Sequence, residues 1–412
     1  MGGIEDKIVK EKTCCRMKKN QSFFLKSILR EANRISKDHT LILSLLLAPI
    51  FYAFFYGSIY LNKTESEVAI AIVDNDKSSL SREYIRMIVQ DQRVKVGVFS
   101  TDLEHAKLKF MNLKVQGILN IEKGFESNLK RMQNANVGLI LNTSRFLPSN
   151  DINKTVSAVS VMVGAGLRVK YFELHGNNSE LSLKEAMPIS IDNKSIFLNH
   201  STYGGFLLPG LLLIILQQTF LIGLAESIAR EREKKTFMSW LKLSDGKIWH
   251  AIYGKGFFFL FLYFCYTLFF HAVNYSVLDL KIEGSIILLS FLIFIFFNVT
   301  LMFGSFFGSL FSKEIWALQF FAFSTYPIFL LAGYSWPTSA MNDVLQLIAN
   351  MLPTTPLLEA YSAIVFKGAG FKQIYGDLLH LFSLGVFYGL LAFWRLRRLR
   401  NKELFQTKSI VI

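Results

Sequence analysis

The stretch Glu226–Lys255, ESIAREREKKTFMSWLKLSDGKIWHAIYGK, decides how the whole chain is read. It is dense in charge and lies between two almost purely apolar runs, LLPGLLLIILQQTFLIGLA before it and FFFLFLYFCYTLFF after it. Burying its ions in hydrocarbon would cost about 2.5–3.5 kcal/mol per charge, so it lies at or beyond the lipid boundary. Lys and Arg outnumber its acids, which places it on the cytoplasmic side. Two spans joined by a charged cytoplasmic helical segment are the unit from which the rest of the topology is counted.

Composition agrees with that unit. The chain has 412 residues, 51% of them hydrophobic, 39 of them Phe, and its mean hydropathy is +0.34. The apolar residues cluster in runs of about 20, the length that crosses about 30 Å of hydrocarbon as a helix. The formal charge of +14 invites comparison with nucleic-acid binders. Much of the Lys and Arg flanks the spans, however, so membrane orientation and anionic headgroups account for it and no nucleic-acid partner is expected. The cysteines are Cys14, Cys15 and Cys265. None falls in the segment placed outside the cytoplasm, which must therefore fold without disulfides. Cys14 and Cys15, beside basic residues, read first as two thiols in a loose tail, with a palmitoylation site as the alternative. The first apolar run begins near Thr40 after a long polar lead, so no cleavable signal is expected.

Upstream, Ser22–Asp38 places Phe24, Ile28, Ala32 and Ile35 near helical spacing, with Lys26, Arg30, Arg34 and Lys37 elsewhere. This is an amphipathic helix suited to the cytoplasmic interface. Residues 1–39 are read as cytoplasmic tail plus that helix, and 40–60 as the first span, with Tyr52, Tyr56 and Tyr60 toward its outer end. Residues 61–204 change character. Strand-like runs begin at Val68, Val94, Val115 and Val137 and alternate with helical ones, and a long helix from about Asn150 to Leu174 returns the chain toward the membrane. That pattern predicts an α/β domain. Ser78–Ser81 reads as an N-cap cluster and Asp74 and Asp76 as turn formers. Asn142 and Asn153 open Asn-x-Ser/Thr triplets, which matter only in a eukaryotic secretory route. His105, His175 and His200 are scattered, and there is no HExxH, GxSxG or cysteine, so no catalytic or metal site is expected.

Downstream of the second span (about Gly205–Ala225) come a third (Phe257–Val273), a fourth (Ser285–Phe306, with Asn298 as its buried polar group) and a fifth (Ile315–Tyr334, kinked at Pro327). Residues 335–377 are half apolar and broken by Pro, Asp and Asn, so a re-entrant hairpin on the outer side is expected. A sixth span, Leu378–Trp394, ends at RLRRLRNK, an inside anchor opening the basic tail 395–412. The expected fold is therefore a polytopic α-helical membrane protein of six transmembrane helices with both ends inside, a cytoplasmic segment 226–256, and an α/β extracytoplasmic domain. Gln217, Gln218 and Thr219 sit mid-span, where polar side chains face a partner helix or a wet cavity. With Tyr326 in the fifth span and Glu359 in the hairpin they are the candidates for a substrate path.

Three stretches carry a family resemblance. FFLKSILREANRISKDHTLILSLLLAPI, REREKKTFMSWLKLSDGKIWHAIYGK and FLLAGYSWPTSAMN…LPTTPLLEAYSAIVFKGAG resemble, in that order, the connecting helix and first span, the cytoplasmic motif, and the fifth span with outer hairpin of the type-two permeases of ATP-binding-cassette exporters. The branch in question has a large extracytoplasmic domain after its first span. The resemblance implies that Arg230, Glu231, Arg232, Glu233, Lys234 and Thr236, followed by Leu241 and Leu243, dock on an ATPase, with the charged residues exposed to lock into a polar cleft. Lys235 stands where the family usually has Gly. Because Gly costs a helix about 1 kcal/mol, Lys235 is expected to extend the helix. Ser244 stands where Pro is common. No GxxxxGK[ST] occurs, so this chain carries no cofactor and is not itself an enzyme. ATP and Mg belong to a partner ATPase dimer. A second permease, the same chain or a sister, and membrane lipid are the other implied partners; a periplasmic adaptor is a further candidate, and the bacterial inner membrane is the implied location. The rival reading is a membrane-anchored sensor or scaffold with an extracytoplasmic ligand domain.

Overall fold

The computed structural model describes residues 25–60, 67–186, 203–277 and 282–410, and the chain divides into two units: Met1–Leu61 with Ile196–Ile412, and Asn62–Ser195. Cys14 and Cys15, and His200, lie outside the described residues.

Residues 25–35 form helix α1. Its buried stripe is Ser27, Glu31 and Ile35, while Leu25 and Leu29 are exposed. The inward face is thus partly polar, unlike the apolar stripe that spacing alone suggests. The next rod, α2, is built from His39–Ile42, a π-helical turn Leu43–Leu47, and Ala48–Tyr60. Its buried residues are Leu41, Leu45, Pro49 and Ala53.

In the second unit the element order is β1 (Val68–Asp74), α3 (Ser79–Val89), β2 (Val94–Ser100), α4 (Leu103–Met111), β3 (Gly117–Ile121), α5 (Phe125–Lys130), β4 (Val137–Leu141), α6 (Phe146–Leu174) and α7 (Ser179–Ala186). The sheet order is β2-β1-β3-β4, parallel except for the β3–β4 pair. Alternate residues of β1 enter opposite cores, as the period of a strand requires. Ile70 and Ile72 join Tyr84, Ile88, Ile152 and Val156 on one face, whereas Ala71 and Val73 meet Ala106 and Ile118 on the other. Ser78 caps α3 by accepting from the Ser81 amide at 3.0 Å, the role its sequence predicts. The long helix begins four residues before the Asn150 expected from sequence.

The remaining elements are α8 (Tyr203–Glu233), α9 (Phe237–Leu243), α10 (Ile248–Val277), α11 (Ile286–Leu310), α12 (Glu314–Leu331), a 3₁₀ turn at Thr338–Ala340, α13 (Asp343–Asn350), α14 (Thr354–Lys367) and α15 (Phe371–Ile410). Among the described residues five helices are long and apolar enough to cross a membrane, namely α8, α10, α11, α12 and α15, and Leu43–Ile59 is a shorter apolar helix. This is the build of a polytopic helical membrane protein. α11 packs at the centre of the unit, where its Gly304 and Gly308 let α8 approach closely. A Cβ at Gly308 would stand 2.8 Å from Ala225 Cα, and one at Gly304 would stand 2.9 Å from Leu224. In lipid, where apolar surface alone does not drive helices together, such small-residue contacts are a main source of packing. Pro209 and Pro327 both sit inside helices, α8 and α12, as the sequence places them.

Candidate functional site: an ion network beneath the charged segment

α8 stops inside the charged segment, at Glu233, and the stop is a specific backbone motif. The Thr236 amide donates to the Glu231 carbonyl at 2.8 Å and the Lys235 amide to the Arg232 carbonyl at 3.1 Å, the paired bonds of a Schellman ending. Its left-handed position is Lys235, with φ of 53°. Lys235 therefore does not extend the helix; it occupies a conformation that glycine adopts without steric penalty. α9 follows directly, with Phe237, Trp240 and Leu241 buried against the bundle. It ends in a second left-handed turn at Asp245 and Gly246.

Beneath this turn lies a network of ions. Glu231 is 4% exposed and Glu31 is 3% exposed, so neither is available to an outside partner. Exposure of Glu231, expected from the docking resemblance, is thus overturned by its partners. Arg30 on α1 reaches Glu231 at 2.9 Å, and the Thr236 hydroxyl donates to the same carboxylate at 2.5 Å. Lys255 of α10 lies 3.0 Å from both Glu231 and Glu31 and donates to the Ser227 hydroxyl at 2.8 Å. Its ammonium also sits over the Trp240 ring, 5.2 Å from the centroid. Arg34 approaches Glu31 at 3.3 Å and donates to Ser227 Oγ at 2.7 Å, and Ser227 itself donates to Glu31. Burial pushes the Glu31 carboxyl up, but Lys255 and then Arg34 outweigh it, so the group is held below its ordinary range and stays ionised.

The same helix end reaches further elements. Arg230 pairs with Asp38 at 2.8 Å, at the start of α2, and with Glu314 at 3.6 Å, at the start of α12. Arg232 donates to carbonyls at the end of α11, Ser309 at 3.0 Å within the helix and Phe311 at 2.5 Å just past it. Glu233 accepts the Glu314 amide at 2.8 Å, so it satisfies the first turn of α12. Four successive residues, Arg230 to Glu233, therefore tie α1, α2, α10, α11 and α12 to one helix terminus. What remains exposed from Glu231 to Lys247 is mostly basic: Lys234, Lys235, Lys242 and Lys247, with Ser239 and the carboxylates of Glu233 and Asp245. Leu241 is buried and Leu243 half-buried, so Leu241 anchors α9 instead of presenting itself to solvent.

The substrate-path candidates separate. Gln217 and Gln218 are buried; Gln217 accepts from Thr354 at 2.7 Å and Gln218 donates to Thr325 at 3.0 Å. Thr219 donates to the Ile215 carbonyl of its own helix at 2.9 Å. These bonds join α8 to α14 and α12 within one chain. Tyr326 and Glu359 are exposed, and their side chains take no part in those bonds. Asn298 is half-buried and donates to the Phe294 carbonyl of its own helix at 2.8 Å, so it bridges no neighbouring helix as a buried packing residue would.

Sequence reasoning passed over Glu31, Ser227, Lys255, Asp38 and Glu314. A signal was available for Lys255: a cation about two turns inside a long apolar helix needs a partner at that depth. Glu31 gave less, since its partner Ser227 is 196 residues away.

The second unit has a feature that bears on ligand binding. In a sheet of order 2-1-3 with helices on both faces, ligands bind outside the carboxyl ends of the first and third strands. Here Asp76 fills that crevice, accepting the Gly124 amide at 2.8 Å and the Glu126 amide at 3.1 Å. Asp74 accepts from the Asp76 and Lys77 amides and from Ser81. The amides that would receive an anionic ligand already have an internal carboxylate, and among the described residues no group of three or more His, Cys, Asp or Glu could hold a metal.

Comparison with known proteins adds a family. The model of the family described as ABC-2 family transporter protein matches residues 39–394. Two curated relatives, the inner membrane transport permease YhhJ of Escherichia coli K12 and its counterpart in Shigella flexneri, are each 29% identical over 123 residues. That alignment takes in 30% of this chain, and the chain spans about a third (33%) of the length of either relative.

Proposed function

Because this chain belongs to the ABC-2 family of transporter proteins, we propose that it is the membrane permease of an exporter driven by a separate ATPase dimer. Permeases of this family are membrane subunits without an ATPase site of their own, and they normally work with an ATPase subunit. In our reading the short apolar helix Leu43–Ile59 is the first of six spans, both termini are cytoplasmic, and the unit 62–195 is extracytoplasmic. The inner membrane named for the YhhJ relatives is the proposed location, with a second permease, the same chain or a sister, completing the path.

The observation that carries the proposal is the Glu31–Lys255–Glu231 network. A motor pressing on the exposed basic side of α9 moves one helix terminus, and that terminus is bonded to the ends of α1, α2, α10, α11 and α12. A local push then becomes a rigid-body shift of helices. Gln217 and Gln218 lie on the helix that would transmit it, and Tyr326 and Glu359 remain candidates for the path outside it. Against the rival sensor reading stands Asp76, which occupies the crevice such a sensor would use.

The test uses the full chain co-purified with its ATPase in proteoliposomes, with Tyr326→Cys in a cysteine-free background as an outer reporter. We expect labelling there to change between nucleotide-free and vanadate-trapped states. With Lys255→Met added, the ATPase still binds and hydrolyses, but labelling no longer follows nucleotide. Unchanged nucleotide-dependent labelling in the Lys255→Met protein would overturn the coupling role.

A further inference from the structure

α10 and α15 stand apart over α11, and the space between them is a groove of about 450 Å³ reached by Trp249, Tyr253, Asn298, Phe382, Val386 and Leu390. A second hollow of about 370 Å³ shares Tyr253, Phe294 and Asn298 with it and continues along Phe257, Phe261 and Phe264. Both volumes fall within the range of small-ligand sites, roughly 300–1,000 Å³. The walls are apolar apart from Asn298, whose amide already bonds its own helix. Only 33% of the apolar window of α10 and 33% of that of α15 is buried, against 78% for α8. In a polytopic membrane protein, faces that open are solvated by lipid chains.

One end of the groove is chemically distinct. Trp249 and Trp394 are both exposed there, and Trp249 stacks on Phe393 at 5.6 Å. Exposed Trp marks the headgroup level of a bilayer. The helical line Phe382–Val386–Leu390 continues to Arg397, and Arg398 lies over the Trp394 ring at 5.6 Å. Lys247 lies just before the facing helix, two residues ahead of Trp249, and Arg400 donates to the adjacent Gly246 carbonyl at 3.1 Å. Gly385 and Gly389 have no side chain to fill the gap, and a Cβ at Gly389 would stand 3.2 Å from Trp249. An apolar slot with an aromatic collar and a cationic rim is complementary to an anionic amphiphile of the bilayer.

We infer that this groove is a site for a bound phospholipid with an anionic headgroup, its acyl chain along Val386 and Asn298 and its phosphate at the Lys247–Arg397–Arg398 rim. Such a lipid would wedge α10 and α15 at a fixed spacing over α11. The inference is independent of the direction of transport and of the ATPase partner.

The test is native mass spectrometry of the full-length protein after stepwise delipidation, with dioleoyl phosphatidylglycerol and dioleoyl phosphatidylcholine as the two probes. The wild type should retain one phosphatidylglycerol per chain in preference to phosphatidylcholine. Val386→Trp fills the slot and should lower retention of both lipids several-fold. Arg397→Glu changes an exposed side chain and leaves the apolar slot intact. It should reduce the phosphatidylglycerol preference by about fivefold or more per charge removed. Equal retention of the two lipids by the wild type, or undiminished phosphatidylglycerol retention in Val386→Trp, would overturn the site. So would a photocrosslinker at Val386 that captures a polypeptide and no lipid.

Discussion

Lys255 is a single ammonium serving two buried carboxylates, 3.0 Å from Glu31 and 3.0 Å from Glu231. Removing it leaves like charges facing each other at low dielectric, and breaking a buried pair in this way typically costs about 3–5 kcal/mol. Lys255→Met should therefore lower the unfolding temperature of the solubilised protein well below that of Lys234→Met, whose side chain is exposed. Lys235 offers the opposite case. At φ of 53° it pays a left-handed penalty that glycine avoids, offset in part by glycine's greater freedom in the unfolded chain. Lys235→Gly should thus raise stability by about 0.5–1 kcal/mol, read by thermal unfolding. In the other unit, hydrogen bonding from Arg93 holds the Asp91 carboxyl down to about 2, and Asp91 also accepts from Thr155 of α6 at 2.9 Å. A depressed folded-state value means stability present above the ordinary carboxylate range and lost as pH falls toward 2. Protection of α6 amides from hydrogen exchange should fall over that window in the wild type, and Asp91→Asn should flatten the dependence.

The glycines separate two kinds of helix. At Gly308 an added Cβ meets the Ala225 backbone at 2.8 Å, and backbone cannot yield as a flexible side chain can. Gly308→Leu should force α8 and α11 apart, cost about 1–3 kcal/mol or more, and depress the yield of folded protein on size-exclusion chromatography. Gly164, inside α6, has nothing within 4 Å, so Gly164→Ala should instead stabilise by about 0.5–1 kcal/mol through helix propensity. At the scale of elements much was legible in the residues. Strands at Val68, Val94 and Val137 follow from β-branched runs, and the apolar lengths near α8, α10 and α11 follow from composition alone. The π-helical turn at Leu43–Leu47 was not legible, because nothing in LSLLL distinguishes it from an α-helical stretch. The ion network was half legible. REREK announced charge at a boundary, but the burial of Glu231 depends on Arg30, 201 residues away, and on Lys255, which the next helix brings back from the far end of the same stretch. The inward turn of Glu31 was hidden for the same reason: an amphipathic pattern assumes that the apolar stripe faces in.

At the scale of the molecule, orientation is the premise on which every functional statement rests, and it can be tested without knowing the cargo. Lys and Arg follow α8 at Lys234 and Lys235 and run through α15 from Arg395 to Arg400, and both groups belong on one side if the proposed six spans hold. Lys109 lies in the unit 62–195, proposed to be on the opposite side. Single cysteines at Lys234, Arg397 and Lys109, in a chain with Cys14, Cys15 and Cys265 replaced, report the three positions separately. An impermeant maleimide applied to intact cells should reach Lys109→Cys and should reach Lys234→Cys and Arg397→Cys only after permeabilisation. The comparison is sensitive to the one span that is short. If Leu43–Ile59 lay in the interface without crossing, the unit 62–195 would share a side with residues 25–35, and the spans after it would need an odd count to keep Lys234 and Arg397 together. Protection of Lys109→Cys together with labelling of Arg397→Cys would invert the map, and the network at Glu231 would then face away from any cytoplasmic motor.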